Sequence, residues 1–350
     1  MTPRYDAAAL RRFGAALVTA AGVRPDMAEA MADVLVEADL IGYPTHGLAF
    51  LPSYLDRIAR GKMAKDGEIT VVADAGATFA WQANRLPGAW VMRRAIASAI
   101  ARAQRHPVVV ATIANGTHLG CLQVYLPALT ERGLLAIVSA TNPGIASVAP
   151  FGGVDPVLTS NPIAIGIPTP GDPILIDVST SLVTNAAVAG HAAAGTTFDS
   201  DCLLDHEGRP TRDPAALASK PPGTILPLGG TDFGHKGFGL GLMVEALTLA
   251  LPGAGRATAT DAFGQGAFLQ VIDPRGFGGA DAFLAETGWI AERCRASRVP
   301  AGAPPVRMPG ERALQRRAAA LRDGVPLAAP VRDRLAAAAG TAGIAFPDPL

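Results

Sequence analysis

Residues 107–141 read PVVVATIANGTHLGCLQVYLPALTERGLLAIVSAT, and the predicted fold follows from the order of elements in this stretch. It begins with the β-branched run Pro107–Ala114, which is typical of a strand buried on both faces. A second apolar run, Leu134–Thr141, has the same character. Between them stands His118, at the start of a segment through Leu129 that we interpret as a helix. The order strand, polar residue, helix, strand predicts an α/β fold.

The carboxyl ends of these two strands are expected at one edge of the sheet, which is where open α/β sheets bind ligands. His118 and the pair Thr141-Asn142 would then lie together. Periodicity predicts further helices over Asp6–Ala21, Pro25–Leu40, Leu48–Arg60, Pro87–Ala103, Lys236–Leu249, Asp281–Arg298, Glu311–Arg322 and Val331–Ala339. It predicts further strands over Glu68–Asp74, Ile174–Asp177 and Gly266–Asp273, the first of them half-buried, and a loop-rich stretch over Asn142–Pro173.

The composition of the chain limits the kinds of partner it can have. Its 350 residues are 49% hydrophobic, which indicates a globular protein. Lys+Arg and Asp+Glu both total 30, so no strong field would attract nucleic acid or an anionic membrane. Cys121, Cys202 and Cys294 lack metal-ligand spacing and fit a reducing compartment. The apolar runs are too short to span a bilayer, and the N-terminus lacks a signal-peptide core. We therefore expect a soluble cytoplasmic protein without a metal site.

The glycine pattern excludes several common catalytic and nucleotide-binding motifs. No Gly-x-Gly-x-x-Gly follows a predicted strand, no Walker loop occurs, and no Gly-x-Ser-x-Gly elbow marks an α/β-hydrolase. The run Gly237–Gly241 lies inside an apolar helix, where close packing is its expected role. A nucleotide, if one binds, is therefore not held by the usual Rossmann turn.

Two histidine-bearing stretches, Pro44–Leu48 and Gly116–Cys121, carry most of the predicted chemistry. Each places an imidazole beside a hydroxyl residue and a glycine, and the ordinary pKa of imidazole suits proton transfer near neutral pH. His118 follows a strand, so it is either a general acid/base or a histidine that caps the next helix. His46 either contacts a ligand or is an ordinary loop histidine. The residues alone leave both pairs of alternatives open.

Three further segments stand at predicted helix starts, where the helix dipole would stabilise an anion. Lys236 follows the flexible pair Gly229-Gly230, and it indicates either an anionic ligand or an exposed lysine. The hydroxyl-rich segment Asp177–Ser181 could hold a ribose or a diphosphate, or it could cap its helix. Pro309–Arg312 opens a helix with Glu311 in its first turn, for which stability is a sufficient explanation.

Taken in order, these segments resemble the malate/L-lactate dehydrogenase family, a non-Rossmann group that includes ureidoglycolate, sulfolactate and hydroxycarboxylate dehydrogenases and Δ1-piperideine-2-carboxylate reductases. The matching pieces are Thr45-His46-Gly47, Pro52-Ser53-Tyr54, His118-Leu119-Gly120, Val148–Gly153, Asn161-Pro162, Asp177–Ser181, Gly208–Thr211, His235–Leu240 and Pro309–Arg312. The resemblance implies an α/β fold with a non-Rossmann cofactor domain over residues 116–294. It also implies a mixed helical domain built from both chain ends, residues 1–115 and 295–350.

The same resemblance implies a homodimeric oxidoreductase that uses NAD or NADP and acts on a small molecule. Hydride would pass between the nicotinamide and C2 of a 2-hydroxy or 2-oxo acid, or alternatively of a cyclic imino acid such as Δ1-pyrroline- or piperideine-2-carboxylate. His118 would be the catalytic acid/base, with His46 against the nicotinamide and the substrate. The implied substrate-binding residues are Thr45, Phe50, Tyr54 and Asn161. The implied cofactor-binding residues are His46, Gly120, Cys121, Leu122, Thr141, Asp177, Val178, Ser179, Thr180, Ser181, His235, Lys236, Gly310, Glu311 and Arg312.

Two departures from the family pattern bear on ligand binding. Many members have Ser-His-Gly-x-x-Arg, whose arginine can pair with a substrate carboxylate, whereas here Thr45 replaces the serine and Phe50 holds the arginine position. Phe50 indicates an apolar or aromatic substrate side chain, or a different carboxylate anchor. The Gly-Lys that often follows the Asp177 segment reads Thr184-Asn185-Ala186. A cofactor-binding protein that has lost catalysis is a third interpretation, supported by the missing arginine and opposed by the retained histidines.

Overall fold

The strands and helices below are those of the computed structural model, which describes residues 2–258 and 264–350. Its strands are β1 Arg4–Tyr5, β2 Thr70–Asp74, β3 Thr78–Gln82, β4 Val108–Gly116, β5 Leu135–Thr141, β6 Ile163–Ile167, β7 Ile174–Val178, β8 Leu203–Leu204, β9 Pro210–Thr211, β10 Thr224–Ile225, β11 Gln265–Ile272 and β12 Val325–Pro326. Its α-helices are α1 Ala7–Ala20, α2 Pro25–Leu40, α3 Leu51–Ala59, α4 Gly88–Ala103, α5 Pro127–Thr130, α6 Asn185–Ala194, α7 Gly230–Glu245, α8 Ala280–Arg295, α9 Glu311–Asp323 and α10 Ala329–Ala342.

The central strands β4 and β5 lie on either side of β11, in a seven-stranded sheet whose order is β2-β3-β4-β11-β5-β6-β7. β11 runs antiparallel to both, so β4 and β5 are parallel to each other and end at the same edge. Gly116 lies opposite Gln265, and Thr141 lies opposite Gly266. The predicted common edge is therefore confirmed. The sheet itself is mixed, and among the described strands only β3 and β4 form a parallel pair of neighbours.

Apolar side chains follow one another along the central strands, and helices cover them. Val109 and Ala111 on β4, and Ala136 and Val138 on β5, have no exposed surface. α4 packs against β4 and β11, and α2 packs against α4. The helical turn 246–250, which continues α7, packs against β4, β5 and β11. These layers leave the edge at which β4 and β5 end as the place where a ligand can approach the sheet.

The two ends of the chain are packed together, as the resemblance implies. β1 pairs antiparallel with β12, so that Tyr5 lies opposite Val325. α1 packs against α10, and α2 packs against α9. A second, smaller core forms around Leu203 and Ile225, next to the three-stranded sheet β10-β8-β9. The predicted domain boundaries at 115 and 295 stay a prediction. β2, β3 and β4, which come before or at the first boundary, lie in the same sheet as β5, β6, β7 and β11, and the predicted ranges include residues outside those described.

Three strands of the sheet differ from the predictions. β2 is a strand, but all of its residues are exposed, because it lies at the sheet edge and pairs with β3 alone. β6 lies in the stretch predicted to be loops. Its pattern is interrupted by Gly166, which is present because a Cβ there would press on Leu126 and Thr130 below the strand. β3 was not predicted at all, since its five residues are short and partly exposed.

The predicted helices are largely confirmed, but three of them begin differently from the prediction. The segment from His118 is not one helix but extended chain followed by a 3₁₀ turn, Leu122–Tyr125, and α5. The helix predicted from Leu48 begins as a 3₁₀ turn before α3. α7 begins at Gly230, so Lys236 lies in its second turn and not at its start. No helix within residues 2–258 and 264–350 combines the length and apolar character that crossing a bilayer requires.

Candidate active site

A cavity of about 400 Å³ opens at the edge of the sheet where β4 and β5 end. This volume lies within the usual range for small-molecule and cofactor sites. The predicted site residues that line it are Thr45, His46, Phe50, His118, Gly120, Cys121, Leu122, Asp177 and Ser179. The fold therefore brings both histidine stretches to one site.

His118 lies two residues past the end of β4 and is held through one ring nitrogen. Its Nδ1 is 2.8 Å from the Tyr54 hydroxyl oxygen and 3.3 Å from the Gly120 backbone nitrogen. Its ring stacks on Phe50, with ring centres 5.0 Å apart and planes 16° apart, and on His46 at 5.9 Å. Because both hydrogen-bond contacts use Nδ1, Nε2 remains available to a ligand in the cavity.

The surroundings of His118 disfavour its charged form. Burial, the neighbouring His46 and the positive charge of Arg57, in that order, lower the pKa of His118 to about 3. Burial also lowers the pKa of His46. Protein surrounds the His118 ring, and only the part that faces the cavity is accessible. Both imidazoles are therefore neutral near neutral pH and able to accept a proton.

Tyr54, predicted to bind substrate, instead supports His118. Its side chain is 4% exposed and does not line the cavity. Phe50 and Tyr54 are four residues apart on one helical face, so one ring packs on the imidazole while the other donates or accepts a hydrogen bond at Nδ1. Burial raises the pKa of Tyr54, so its hydroxyl keeps its proton. Tyr54 is therefore a positioning residue.

The loop that carries His46 is fixed by a half-buried carboxylate, Asp39, near the end of α2. Asp39 Oδ2 accepts the backbone N–H of Leu48 at 2.8 Å. A Cβ at Gly47 would overlap that carboxylate, so only glycine fits between Asp39 and the loop. Within the loop, the Thr45 hydroxyl oxygen lies 3.0 Å from His46 Nδ1. Burial raises the pKa of Asp39 to about 7.

A second half-buried carboxylate, Asp177 on β7, fixes the chain that follows His118. Asp177 Oδ2 accepts the backbone N–H of Gln123 at 2.9 Å and lies 3.4 Å from Cys121 Sγ. Burial raises the pKa of Asp177, and burial together with Asp177 raises the pKa of the Cys121 thiol well above its usual value. Cys121 therefore stays a thiol and is no candidate nucleophile. Within the described parts of the chain, no group of three His, Cys, Asp or Glu side chains is placed to hold a metal ion.

The prediction that Asp177–Ser181 stands at a helix start is wrong, since α6 begins only at Asn185. The hydroxyls of this segment serve their own backbone: Ser179 donates to the Ser181 carbonyl, and Ser181 to the Val183 carbonyl. Thr180 donates to the Ser160 carbonyl, and both Thr180 and Ser181 are buried outside the cavity wall. A hydroxyl-rich segment that bonds its own backbone has the same amino-acid composition as one that binds a phosphate, so the sequence could not distinguish these two roles.

Asn161 and Thr141 hold the wall of the cavity from behind. The Thr141 hydroxyl donates to Asn161 Oδ1 at 3.1 Å, and Asn161 Nδ2 donates to Glu245 at 2.9 Å. Arg256 pairs with Glu245 at 2.8 Å and donates to the Ile145 carbonyl at 2.8 Å. Asn161 and Thr141 are buried and do not line the cavity, and their ligand contacts stay a prediction.

The remaining predicted cofactor residues lie away from the cavity. Val178 and His235 are exposed, and Lys236 Nζ lies 5.0 Å from the ring centre of Phe233 on the surface of α7. Glu311 accepts the Met308 N–H and pairs with Arg295, while Gly310 packs on Leu175 and Arg312 is exposed. Lys236 is not at the helix start from which its anion site was argued, and Glu311 has the stabilising role considered for it. The cofactor contacts of both residues stay predictions.

The polar residues of the cavity that were not predicted as site residues include Arg57 and Gln265. Arg57 lies seven residues after Phe50, on the same face of α3, and lines the cavity. Gln265 begins β11 and accepts the Leu119 N–H through Oε1 at 2.9 Å, which leaves its NH₂ group for a ligand. The spacing of Phe50, Tyr54 and Arg57 was a usable helical signal, whereas the position of Gln265 depends on β11 entering the sheet between β4 and β5.

The amino-acid sequence matches the family model of malate/L-lactate dehydrogenases over residues 5–336. The chain belongs to the malate/L-lactate dehydrogenase family. It is 32% identical over 289 residues to the L-sulfolactate dehydrogenase of Methanothermobacter thermautotrophicus, covering 80% of this chain and 82% of that one. It is 30% identical over 333 residues to hydroxycarboxylate dehydrogenase B of Escherichia coli, covering 93% and 90%. The structure of a dehydrogenase from Sinorhizobium meliloti has a TM-score of 0.85 at 33% identity, over 97% of this chain and 98% of that one.

Membership of the malate/L-lactate dehydrogenase family confirms the predicted fold, the enzyme class and the use of NAD or NADP. The residues around the cavity fit such a cofactor. Thr184, Asn185 and Ala186 line it at the start of the ten-residue helix α6, where backbone N–H groups and the helix dipole suit a diphosphate. Leu122 and Pro162 supply apolar wall for a ring. The Thr184-Asn185-Ala186 departure thus falls at a helix start that faces the cavity.

Proposed function

We propose that the chain oxidises a 2-hydroxy acid, or reduces the corresponding 2-oxo acid, with His118 as the general acid/base. The observation that supports this role is an imidazole that lines the cavity and is held at Nδ1 by Tyr54, which leaves Nε2 without a protein partner among the described residues. The bound nicotinamide accepts or supplies the hydride, and the protein holds the substrate and moves its proton. Known relatives act on sulfolactate and hydroxycarboxylates, which are acids of this class.

The proton step follows from the two nitrogens of His118. Oxidation requires the neutral tautomer of His118 that carries its proton on Nδ1. In this tautomer Nδ1–H donates to the Tyr54 oxygen at 2.8 Å in place of accepting the longer 3.3 Å contact from the Gly120 N–H, and Nε2 accepts the hydroxyl proton of the substrate. In reduction, the imidazolium returns that proton to the ketone oxygen. Phe50 and His46 stack beside the imidazole and exclude water from it. These contacts put His46 next to the proposed proton acceptor. They also make a catalytically inactive cofactor-binding protein the weaker interpretation.

Reduction of a cyclic imino acid is a second candidate, and one observation favours it. The low pKa of His118 makes an imidazolium scarce near neutral pH, which slows reduction of a ketone but not of an imine that arrives already protonated on nitrogen. Both substrate classes are flat 2-carboxylates, so the same cavity could hold either. A direct comparison of turnover with a 2-oxo acid and with a cyclic imino acid distinguishes the two functions.

Turnover of NADH and of NADPH with pyruvate, phenylpyruvate, sulfopyruvate and Δ1-piperideine-2-carboxylate tests the proposal. His118→Ala should lower kcat/KM roughly 10²- to 10⁴-fold while cofactor still binds, because it removes the proton donor. His206→Ala is the matched control, since that histidine lies in an exposed turn outside the cavity. Full activity in His118→Ala would refute the assigned role. Cofactor binding without turnover of any substrate would favour the inactive binding protein.

We also propose that the protein is a homodimer and is cytoplasmic. From position 239 to position 251 the exposed residues carry no charge, and Leu240, Leu242, Met243 and Leu251 are 40%, 48%, 39% and 60% exposed. A helix face of this kind is typical of a protein interface. All three cysteines are free, which fits a reducing compartment. Light scattering should give twice 35.8 kDa, and Leu240→Lys with Met243→Lys should give the monomer mass.

A further inference from the structure

The cavity needs a partner for the substrate carboxylate, and the arginine position of the family pattern holds Phe50. Phe50 has no charged group, and its ring packs flat on His118. It therefore cannot pair with a carboxylate as an arginine would. Among the described residues that line the cavity, Arg57 is the only lysine or arginine. A guanidinium is well suited to a carboxylate because it can form two parallel charge-assisted hydrogen bonds.

Arg57 is placed for this task by the helix that carries it. It lies three residues after Tyr54 and seven after Phe50, so all three side chains lie on the face of α3 that meets His118. Arg57 is half-buried, and no carboxylate within residues 2–258 and 264–350 forms an ion pair with it. Arg60, one turn later, is instead exposed and paired with Asp56 at 2.8 Å.

The charge of Arg57 acts on the reacting centre. Arg57 contributes, after burial and His46, to the lowered pKa of His118, and it opposes the rise that burial causes in the pKa of Tyr54, so its charge acts on both members of this hydrogen-bonded pair. The NH₂ group of Gln265 lines the same cavity from β11. An anion bound by Arg57 would therefore stand beside the imidazole, where C1 of a 2-oxo acid must lie when its C2 oxygen meets Nε2.

We propose that Arg57 binds the C1 carboxylate of the substrate and replaces the arginine that the family pattern has at position 50. This proposal rests on the proposed function. Since the bound carboxylate neutralises the charge of Arg57, it also makes His118 more basic in the complex than in the empty site. The groups that face His118 are His46 from the loop after α2, and Tyr54 and Arg57 from α3, and only Arg57 gains a counter-charge when the substrate binds.

The experiment compares Arg57→Leu, Arg57→Lys and the control Arg60→Leu in the full chain loaded with the preferred reduced cofactor. Calorimetry measures binding of oxamate, which carries the carboxylate of a 2-oxo acid but is not reduced. Kinetics compare a 2-oxo acid with its methyl ester, and thermal melting by circular dichroism shows that each variant is folded. Arg60→Leu removes a positive charge from the same helix without touching the cavity.

Arg57→Leu should weaken oxamate binding and lower kcat/KM for the acid roughly 10- to 100-fold, chiefly through KM, while the ester is little changed. Arg57→Lys should be intermediate, and Arg60→Leu should match the wild type. The pKa that governs kcat/KM in reduction should rise in Arg57→Leu, an effect that loss of packing alone would not produce. Equal losses for acid and ester, or unchanged oxamate binding, would overturn the proposal. If the wild type neither binds oxamate nor reduces any 2-oxo acid, the proposed function fails as well.

Discussion

Changing the assay pH should affect the two directions of the reaction unequally, because His118 is neutral over most of the accessible range. Oxidation of an alcohol releases one proton, so the ratio of kcat/KM for oxidation to kcat/KM for reduction must change about tenfold per pH unit. Thermodynamics fixes that ratio but not which direction carries the change. The direction is set by the pKa of His118, which burial, His46 and Arg57 lower to about 3.

The size of the effect follows from that pKa. At about pH 7 only about one molecule in 10⁴ carries an imidazolium, and forming it costs about 5 kcal/mol. Neutral His118 is the base that oxidation needs, so kcat/KM for oxidation should be flat between about pH 5 and pH 8. Reduction needs the rare imidazolium, so its kcat/KM should rise about tenfold for each unit by which the pH falls.

The measurement is kcat/KM in both directions at saturating cofactor, over buffers of constant ionic strength. An unperturbed imidazole, with a pKa of about 6.5, would give the opposite result: reduction flat below that pH, and oxidation falling tenfold per unit. That result would refute the argument that burial and Arg57 keep His118 neutral. His118→Ala should abolish the pH dependence of reduction, because no imidazole remains to be protonated.

Three substitutions around His118 and His46 have further expected outcomes. Tyr54→Phe removes the hydrogen bond at 2.8 Å and should lower kcat roughly tenfold, with cofactor affinity unchanged by fluorescence titration. Gly47→Ala should destabilise the fold by about 1–3 kcal/mol in urea unfolding and reduce activity, since the new methyl group displaces Asp39. The pKa of Asp39 is raised to about 7, so its contribution to stability is present at acidic pH and is lost as the pH rises through 7. Asp39→Asn should remove that loss. The difference in the free energy of unfolding between this variant and the wild type should therefore shift in favour of the variant by up to about 4 kcal/mol between about pH 4 and pH 8. A difference that does not change with pH would contradict the raised pKa of Asp39.

The histidines could be predicted from the sequence because their positions depend on local order. His118 follows a buried strand directly, and a residue at that position reaches the sheet edge whichever strand comes to lie beside it. β11 lies about 150 residues further along the chain than β4, yet its entry between β4 and β5 preserves the common edge. The prediction of that edge was therefore correct even though the strands are not neighbours.

The two predicted helix starts, at Asp177–Ser181 and at Lys236, are wrong for different reasons. The hydroxyls of Ser179 and Ser181 bond their own backbone, and a ligand would have used the same groups. Lys236 was assigned to an anion only because its helix was expected to begin six residues later than Gly230, where it does begin. Arg57 could not be predicted from the family pattern, which has its arginine at position 50, and the helical spacing that places Arg57 in the cavity carries no motif.

Phe50 and Arg57 divide two tasks that an arginine at position 50 would combine. A guanidinium in place of the Phe50 ring, whose centre is 5.0 Å from that of His118, would hold a permanent charge against the imidazole and oppose its protonation. The Phe50 ring excludes water there without adding charge. Arg57 keeps its charge two turns along α3, where an arriving carboxylate can neutralise it. If Arg57 is the anchor, protonation of His118 becomes easier only when an acid occupies the cavity, so that charge compensation and not shape alone selects a 2-oxo acid over its ester.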